Sequence, residues 1–329
     1  MEKFSEDKLH GICGQGSYQS VVAYLERCED GEEHLARYRE LFEGDKYVLE
    51  VDDPQVQVIL RVYEDYLKHV LTTKMSVAEY KKYIVSCFRE FFPGVRTYAK
   101  FVKVFPAYFK ALGYFAQFGI TAPFPTLYLW KTQNESVLDV ELPEATVKLN
   151  VYEMDDVIVD CWYNYLTFGK VGTGGWVSDD GAYYFKGKYD TDSDGFQISL
   201  LKHEGQHFYD KGISYAMPSA ELEYRAKLVE LVYLQKQNVF NSFLANMSDD
   251  TRNPHGHANK RIVVALSQLI FNEELVIDKD RWSTEYEKVS EMALKLLKED
   301  TETSKWLRKK VLIWRGKLRK KKYQWWLKR

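Results

Sequence analysis

The sequence has few cysteines, few prolines and no long apolar run, and each scarcity excludes a class of protein. The 329 residues include four cysteines, eight prolines and 19 glycines. The cysteines lack CxxC spacing, which excludes a cysteine-based zinc cluster and a disulfide framework and predicts free thiols in a reducing compartment. No apolar run approaches the roughly 18 residues of a membrane-spanning helix, and the first residues lack the apolar segment of a signal peptide. We therefore expect a cytoplasmic protein.

Positive charge is scarce over most of the chain because it is concentrated near the C-terminal end. Residues 305–329 hold 12 of the 46 Lys and Arg residues and no Asp or Glu, so the remainder carries 34 basic and 48 acidic residues. This basic, Trp-rich segment fits either a helix that docks through its Trp and Leu residues or a peripheral contact with an anionic membrane surface. It lacks the signatures of RNA- and DNA-binding modules, so we expect no nucleic-acid partner.

Hydropathy patterns divide the chain into a helical first part, a short sheet and a second helical part. The last helix of the first part is expected to end near Gly119. Residues 126–189 then contain alternating segments typical of strands, and helical spacing returns after Gly195. These patterns predict a helix-rich α+β protein with a small mixed sheet. The expected parts are a helical N-terminal region, a catalytic or binding domain and a basic segment, at residues 1–119, 120–300 and 301–329.

The strongest functional signal is the pentapeptide His-Glu-Gly-Gln-His at residues 203–207. Its flanks are apolar at helical spacing, and residues four apart lie on one face of a helix, so His203 and His207 can present two imidazoles to one metal ion. The H-E-x-x-H pattern is typical of zinc sites in which the glutamate, here Glu204, takes a proton from a metal-activated water. The alternative is a helix with two ordinary histidines.

A catalytic zinc ion needs a third protein ligand and one open position. The extended form of the motif would place Gly at position 210 and His at position 213, whereas the chain has Asp210 and Ile213. The third ligand is therefore expected from a glutamate of the next predicted helix, which follows Pro218. Glu221 and Glu223 compete for this role, and Glu221 falls in the first turn, where a carboxylate also offsets the helix dipole.

The pentapeptide HEGQH, followed by a helix that carries the tetrapeptide Glu223–Ala226, resembles the gluzincins, the thermolysin-like zinc metallopeptidases. The resemblance covers roughly residues 180–230. It implies a zincin-like catalytic domain with an HExxH active-site helix, and hydrolysis of a peptide or protein substrate with Glu204 as general base. It also implies one Zn²⁺ ion per chain with three ligands, His203, His207 and Glu223.

The sequence departs from the family pattern at Lys227, where Asp is common in that group. A metal-bound histidine usually donates its second ring N–H to a carboxylate, which holds the ring in place. In this chain that carboxylate would come from Glu230 or Asp210.

The resemblance also implies an edge strand that pairs with the substrate backbone and a donor for the oxyanion of the tetrahedral intermediate. Residues Ala182–Tyr189 are the strand nearest the motif, although they equally fit an ordinary edge strand. The donor is expected to be His255 or His257, in a loop just before a predicted helix.

A second interpretation is a non-catalytic binding or regulatory protein that keeps a zincin fold, with an anionic membrane surface as its partner through the basic segment. The intact Glu204 favours an enzyme, because a structural metal site has no need of a general base.

Overall fold

The computed structural model shows an α+β protein in which helices predominate, as the sequence predicts. It describes residues 2–178, 180–213, 217–234, 237–251 and 253–326, without the side chains of residues 213, 238 and 304–326. In this part of the chain, no helix combines the length and the apolar character needed to cross a membrane. The membrane contact predicted for the basic C-terminal segment lies outside the described side chains and stays a prediction.

With one exception, the helix that follows Gly31, the described helices before the sheet begin beside polar side chains that accept backbone N–H groups. Ser5, Ser17, Asp53, Ser76 and Thr97 each cap a helix in this way, which satisfies donors that the first helical turn leaves unpaired. These helices are α1 (Glu6–Cys13), α2 (Tyr18–Leu25), α3 (Glu32–Glu43), α4 (Pro54–Thr72), α5 (Val77–Cys87) and α6 (Tyr98–Ala111).

Among the described residues, five strands form one sheet in the order β1-β2-β3-β5-β4. β1 and β2 are antiparallel, with Phe115 opposite Trp130 and Thr121 opposite Phe124. A short helix, α7 (Trp162–Leu166), follows the third strand. The strands are β1 (Phe115–Thr121), β2 (Phe124–Glu141), β3 (Thr146–Val159), β4 (Gly175–Ser178) and β5 (Gly181–Phe185).

The expectation of a helix that ends near Gly119 is wrong. α6 ends at Ala111, Gly113 adopts a φ of +83°, and the chain then enters β1. A left-handed φ favours glycine, so Gly113 lets the chain leave the helix and turn into the sheet. Most of β1 alternates between buried and half-buried positions, but its aromatic residues directly follow those of α6, and the sequence therefore reads as one continuous helix.

The expectation that Ala182–Tyr189 forms an edge strand is also wrong. β5 covers only Gly181–Phe185, lies between β3 and β4 in the sheet, and is buried along its whole length. A strand with hydrogen-bonded neighbours on both sides has no free edge for a substrate backbone. Residues 186–189 lie beyond its end.

Two compact units interleave along the chain. The expected division at residues 119 and 300 is sequential, whereas each of the strands β2 to β5 contributes residues to both units. The first unit contains residues Met1–Asn134, Tyr152–Trp176 and Tyr184–Lys186, and the second contains Glu135–Val151, Val177–Tyr183 and Gly187–Arg329.

The first unit has an aromatic core. Phe105 of α6 lies 4.6 Å from Phe118 of β1 and 4.7 Å from Phe109, measured between ring centroids. Phe101 and Phe88 pack on the same ring, and all these side chains except Phe118 are fully buried. Stacked and edge-on aromatic pairs of this kind add to the stabilisation that burial alone provides.

Helices build most of the second unit. A short helix, α8 (Asp194–Phe196), and a π-helical segment (Gln197–Lys202) lead into the remaining helices. These are α9 (His203–Ile213), α10 (Ser219–Tyr233), α11 (Gln237–Ala245), α12 (Pro254–Phe271) and α13 (Lys279–Trp326). α10 packs against α9, α12 and α13 and carries buried residues from Tyr224 to Leu231, so it is the central helix of this unit.

Replacing Phe105 by alanine should destabilise the first unit strongly. The change removes a fully buried ring and leaves a cavity, which typically costs about 3–5 kcal/mol of unfolding free energy. Urea denaturation followed by tyrosine and tryptophan fluorescence would measure the loss. Val58→Ala, on an exposed position of α4, is the matched control and should change the midpoint little. Equal midpoints for the two variants would contradict the proposed core.

Candidate metal centre

The two motif histidines lie on α9, which continues directly from the π-helical segment. Ser193 begins this continuous helix, because its side chain accepts the N–H of Phe196. The π-helical segment ends at Lys202, immediately before His203. π-Helical turns inside α-helices are frequent at functional sites, where they adjust the direction of neighbouring side chains.

Gly205 sets the distance between α9 and the hairpin formed by β2 and β3. A Cβ atom at this position would lie 3.1 Å from Val140, 3.5 Å from Leu142 and 3.4 Å from Val147. Only glycine allows this close approach without displacement of the neighbours. Gly205 therefore fixes one face of α9 against the hairpin and leaves the opposite face, with His203 and His207, turned towards α10.

His203, His207 and Glu223 converge between α9 and α10. The Nε2 atom of His203 lies 3.5 Å from Oε2 of Glu223, and Nε2 of His207 lies 3.5 Å from Oε1 of the same carboxylate. The two imidazole rings are perpendicular, with their centroids 4.7 Å apart. The three side chains are only 10–14% exposed. The structure thus brings together the three ligands that the resemblance implies.

Glu204 is a second carboxylate within reach of the histidines. Its Oε2 atom lies 3.9 Å from Nε2 of His207, and one candidate ligand atom from each of His203, Glu204 and His207 lies within 4.8 Å of the others. Its side chain is 19% exposed, more than either histidine. Glu204 therefore borders the cluster on a side that water can reach.

The geometry fits a small cation better than a hydrogen-bonded cluster. Zinc–ligand bonds of about 2.0–2.2 Å in a tetrahedral site place neighbouring ligand atoms about 3.4 Å apart, close to the two 3.5 Å separations. Oε2 of Glu223 and Nδ1 of His207 are buried and have no well-aligned hydrogen-bond partner. Oε2 of Glu223 lies 2.8 Å from Nδ1 of His255 and 3.5 Å from Nε2 of His203, but neither contact is aligned as a hydrogen bond. A buried carboxylate that faces imidazoles in this way is suited to share a cation with them.

Glu230, about two turns after Glu223 on α10, orients His203. Its Oε1 atom lies 2.6 Å from Nδ1 of His203, and both side chains are about 10% exposed. This arrangement leaves Nε2 of His203 free to face the cluster, as a carboxylate–histidine–metal triad requires. Lys227, at the family position of Asp, extends instead over the ring of Phe243, with Nζ 4.6 Å from the centroid.

The carboxylates of the cluster raise the pKa of His203, and the imidazoles lower the pKa of Glu223. Burial lowers the pKa of His203, but the carboxylates of Glu223 and Glu230 outweigh this effect and raise that pKa to about 10. Burial likewise raises the pKa of Glu223, but His203, His207 and His255 outweigh it and hold that pKa well below its usual range. A metal ion bound through Nε2 of His203 would compete with a proton, so its affinity should fall as the pH is lowered.

The competing glutamate, Glu221, is engaged elsewhere. Both of its carboxylate oxygens accept from Arg261 of α12, at 2.7 and 3.3 Å. Arg261 also lies over the ring of Tyr224, 4.1 Å from the centroid. A bidentate pair of this kind fixes the carboxylate in place, so Glu221 serves as a clamp between α10 and α12.

His255 and His257 lie in the first turn of a helix, and their expected placement in a loop is wrong. α12 begins at Pro254, and the side chain of Asn253 caps it by accepting the N–H of Gly256. The Nδ1 atom of His255 lies 2.8 Å from Oε2 of Glu223, and its side chain is 66% exposed. Nδ1 of His257 is buried without a hydrogen-bond partner. Of the two, His255 is the one that contacts the cluster.

The sequence did not point to Gly205 or Arg225 as parts of this site. Gly205 looks like an arbitrary residue inside the motif, and its role appears only when the hairpin is placed against α9. Arg225 stands two positions after Glu223, and its complete burial follows from packing on three sides of α10 rather than from any local pattern.

A search of protein-family models, characterised proteins and solved structures finds no match to the chain.

Glu223→Ala should remove a bound metal ion, whereas Glu221→Ala should retain it. The reason is that Glu223 faces both imidazoles while Glu221 faces Arg261. Plasma mass spectrometry of the purified proteins, after incubation with zinc and desalting, would give the metal content. We expect about one zinc ion per chain for the unaltered protein and for Glu221→Ala. Loss of metal in Glu221→Ala but not in Glu223→Ala would reverse the assignment.

Glu230→Gln should weaken zinc binding about 10- to 100-fold without abolishing it. The amide can still contact Nδ1 of His203, but it no longer provides the charge that orients the ring and raises its basicity. Competition with a chromophoric chelator at constant pH would measure the dissociation constant. Glu291→Gln, at an exposed position of α13, is the control. An affinity equal to that of this control would show that Glu230 has no part in the metal site.

Proposed function

We propose that the second unit is a zinc-dependent peptidase of the gluzincin type. The observation that carries the proposal is the convergence of two imidazole nitrogens on one carboxylate, each at 3.5 Å, with a second carboxylate on the accessible side. Three ligands and a neighbouring base are the components that a catalytic zinc site needs, whereas a structural site uses four ligands and no base. The ligands are His203, His207 and Glu223.

A zinc ion at this position would polarise a substrate carbonyl and lower the pKa of a water molecule to near 7. Glu204 acts as general base: its carboxylate accepts the proton of the attacking water and then delivers it to the leaving amine. The position of Glu204 suits this role, because it neighbours His203 in the chain, lies 3.9 Å from His207 and keeps part of its surface open to solvent. A proton transfer of this kind requires hydrogen-bond reach in the substrate complex.

His255 is the proposed donor for the oxyanion of the tetrahedral intermediate. It approaches the cluster through Glu223, and its exposed ring can reach a substrate placed beside that carboxylate. A preorganised donor at the developing negative charge typically contributes about 10²–10³ in rate. His257 is a weaker candidate, because its Nδ1 atom is buried in the helix start.

The substrate remains a peptide or protein in this proposal, and the cytoplasmic location stays a prediction. The corrected sheet order removes Ala182–Tyr189 as the strand that pairs with substrate. A zincin-like scaffold without catalysis is the competing function. It shares the metal ligands but predicts no turnover, so one experiment separates the two.

Glu204→Gln should greatly slow peptide cleavage while leaving zinc bound. The amide keeps the size of the side chain but cannot accept the proton, which should lower the rate by about 10²–10⁴. A peptide library incubated with each protein and read by mass spectrometry would detect cleavage, with metal content measured on the same samples. Glu291→Gln serves as the matched control. Zinc-loaded, unaltered protein that cleaves no peptide would favour the scaffold.

A further inference from the structure

Arg225 is a buried cation at the centre of the second unit. It lies on α10 two residues after Glu223, and its side chain is 0% exposed. Its Nε donates to Oδ1 of Asp210 at 2.8 Å, and its Nη1 donates to Oδ2 of Asp300 at 2.7 Å. Its Nη2 donates to Oγ1 of Thr301 at 2.7 Å and contacts Glu144 at 3.5 Å.

The partners of Arg225 come from three different parts of the unit. Asp210 belongs to α9, and Asp300 and Thr301 belong to α13. Glu144 lies in the turn that joins β2 to β3, and it also accepts a hydrogen bond from Thr301. One guanidinium on α10 thus bonds to the histidine-bearing helix, the C-terminal helix and the hairpin.

The bond between Arg225 and Asp210 lies close to the metal ligands on both helices. Asp210 is seven residues after His203, so two helical turns place it on the same face. It is fully buried and also accepts from Nε2 of Gln206 at 2.9 Å, which fixes its carboxylate. On α10, Arg225 is two positions after Glu223. The ion pair therefore joins α9 to α10 within two helical turns of the candidate ligands on each helix.

We propose that Arg225 is a positioning residue of the metal centre. It holds the histidine-bearing and glutamate-bearing helices at the separation that lets one cation reach both, and Asp300 and Thr301 hold Arg225 itself. The inference rests on the proposed metal site, which it deepens. It implies that α13 contributes to metal affinity, although no residue of α13 is a proposed ligand.

Lysine is not expected to perform the function of Arg225. A guanidinium donates along several fixed directions at once, whereas an ammonium is a compact, strongly hydrated point charge. The three side-chain nitrogens of Arg225 bond to α9 and α13, and Nη2 also contacts Glu144 of the hairpin. A lysine would satisfy one partner and leave other buried carboxylates uncompensated. A ligand set that shifts by a fraction of an ångström binds zinc less tightly.

The test is zinc affinity in the full-length chain, measured by chelator competition at a temperature where each variant is folded by circular dichroism. We expect Arg225→Lys to bind zinc at least about 10-fold more weakly, as the loss of other supporting residues does. The visible absorption of the Co²⁺-substituted protein should change as well, because it reports ligand geometry. Thr301→Val is the second variant. It removes the hydroxyl on α13 that accepts from Arg225 and leaves the three proposed ligands unchanged. It should also weaken zinc binding.

Trp282→Phe is the control for lost stability. Trp282 is fully buried on the same helix, donates to the carbonyl oxygen of Val276 and packs on Phe240. It should lower the unfolding midpoint and leave zinc affinity and the Co²⁺ spectrum unchanged. Equal zinc affinity in Arg225→Lys and the unaltered protein would overturn the inference. A loss of zinc affinity in Trp282→Phe as large as the loss in Arg225→Lys would overturn it as well. If Arg225→Lys does not fold, Thr301→Val decides, and unaltered affinity there overturns the inference. An unaltered protein that binds no zinc would instead overturn the metal site itself.

Discussion

Every ionised group in the interior of the second unit must be paired, and this constraint determines how its helices meet. An isolated buried charge costs far more than folding can supply, so burial is tolerated only among opposite charges and hydrogen-bond partners. α10 carries a negative and a positive side chain within one turn, because the carboxylate of Glu223 is followed by the guanidinium of Arg225. The first faces imidazoles and the second faces carboxylates, so α10 can occupy only one position between its neighbours.

The first unit relies mainly on aromatic packing, and its buried carboxylate Glu64 accepts the backbone N–H groups of Val48 and Leu49. Its core is a set of interlocking phenylalanine rings, such as Phe101, Phe105 and Phe118, which pack without directional bonds beyond ring orientation. Apolar cores tolerate repacking as long as volume is kept, whereas buried polar networks specify a single arrangement. The unit that carries the candidate site is therefore the one in which the positions of individual side chains are most strongly determined.

Sequence reasoning predicted what depends on local spacing and missed what depends on packing. The interval of four between His203 and His207 is a property of one helix, so both the helix and the shared face were predictable. The tetrapeptide that begins at Glu223 resembles a known motif and so indicates this residue as a ligand. In the structure, the carboxylate of Glu223 lies 3.5 Å from Nε2 of each histidine. The end of α6 was misjudged, since aromatic residues suit a buried helix and a strand equally. The burial of Arg225 could not be foreseen, because it requires α13, more than 70 residues away.

The buried cluster around Arg225 and the buried cluster around Glu223 differ in how fully their polar atoms are hydrogen-bonded. This difference bears on the kind of metal site that is proposed. The nitrogens of Arg225 find acceptors on α9, α13 and the hairpin within the protein itself. In contrast, Oε2 of Glu223 and Nδ1 of His207 are left without a well-aligned hydrogen-bond partner. A domain that folds only around its metal needs the ion to join its elements. Here Arg225 joins α9, α10 and α13 through side chains of the protein itself, so the assembly of the proposed ligand cluster does not depend on an ion. Ligands held in place by the protein itself would suit the proposed catalytic site, because a catalytic centre needs preorganised ligands.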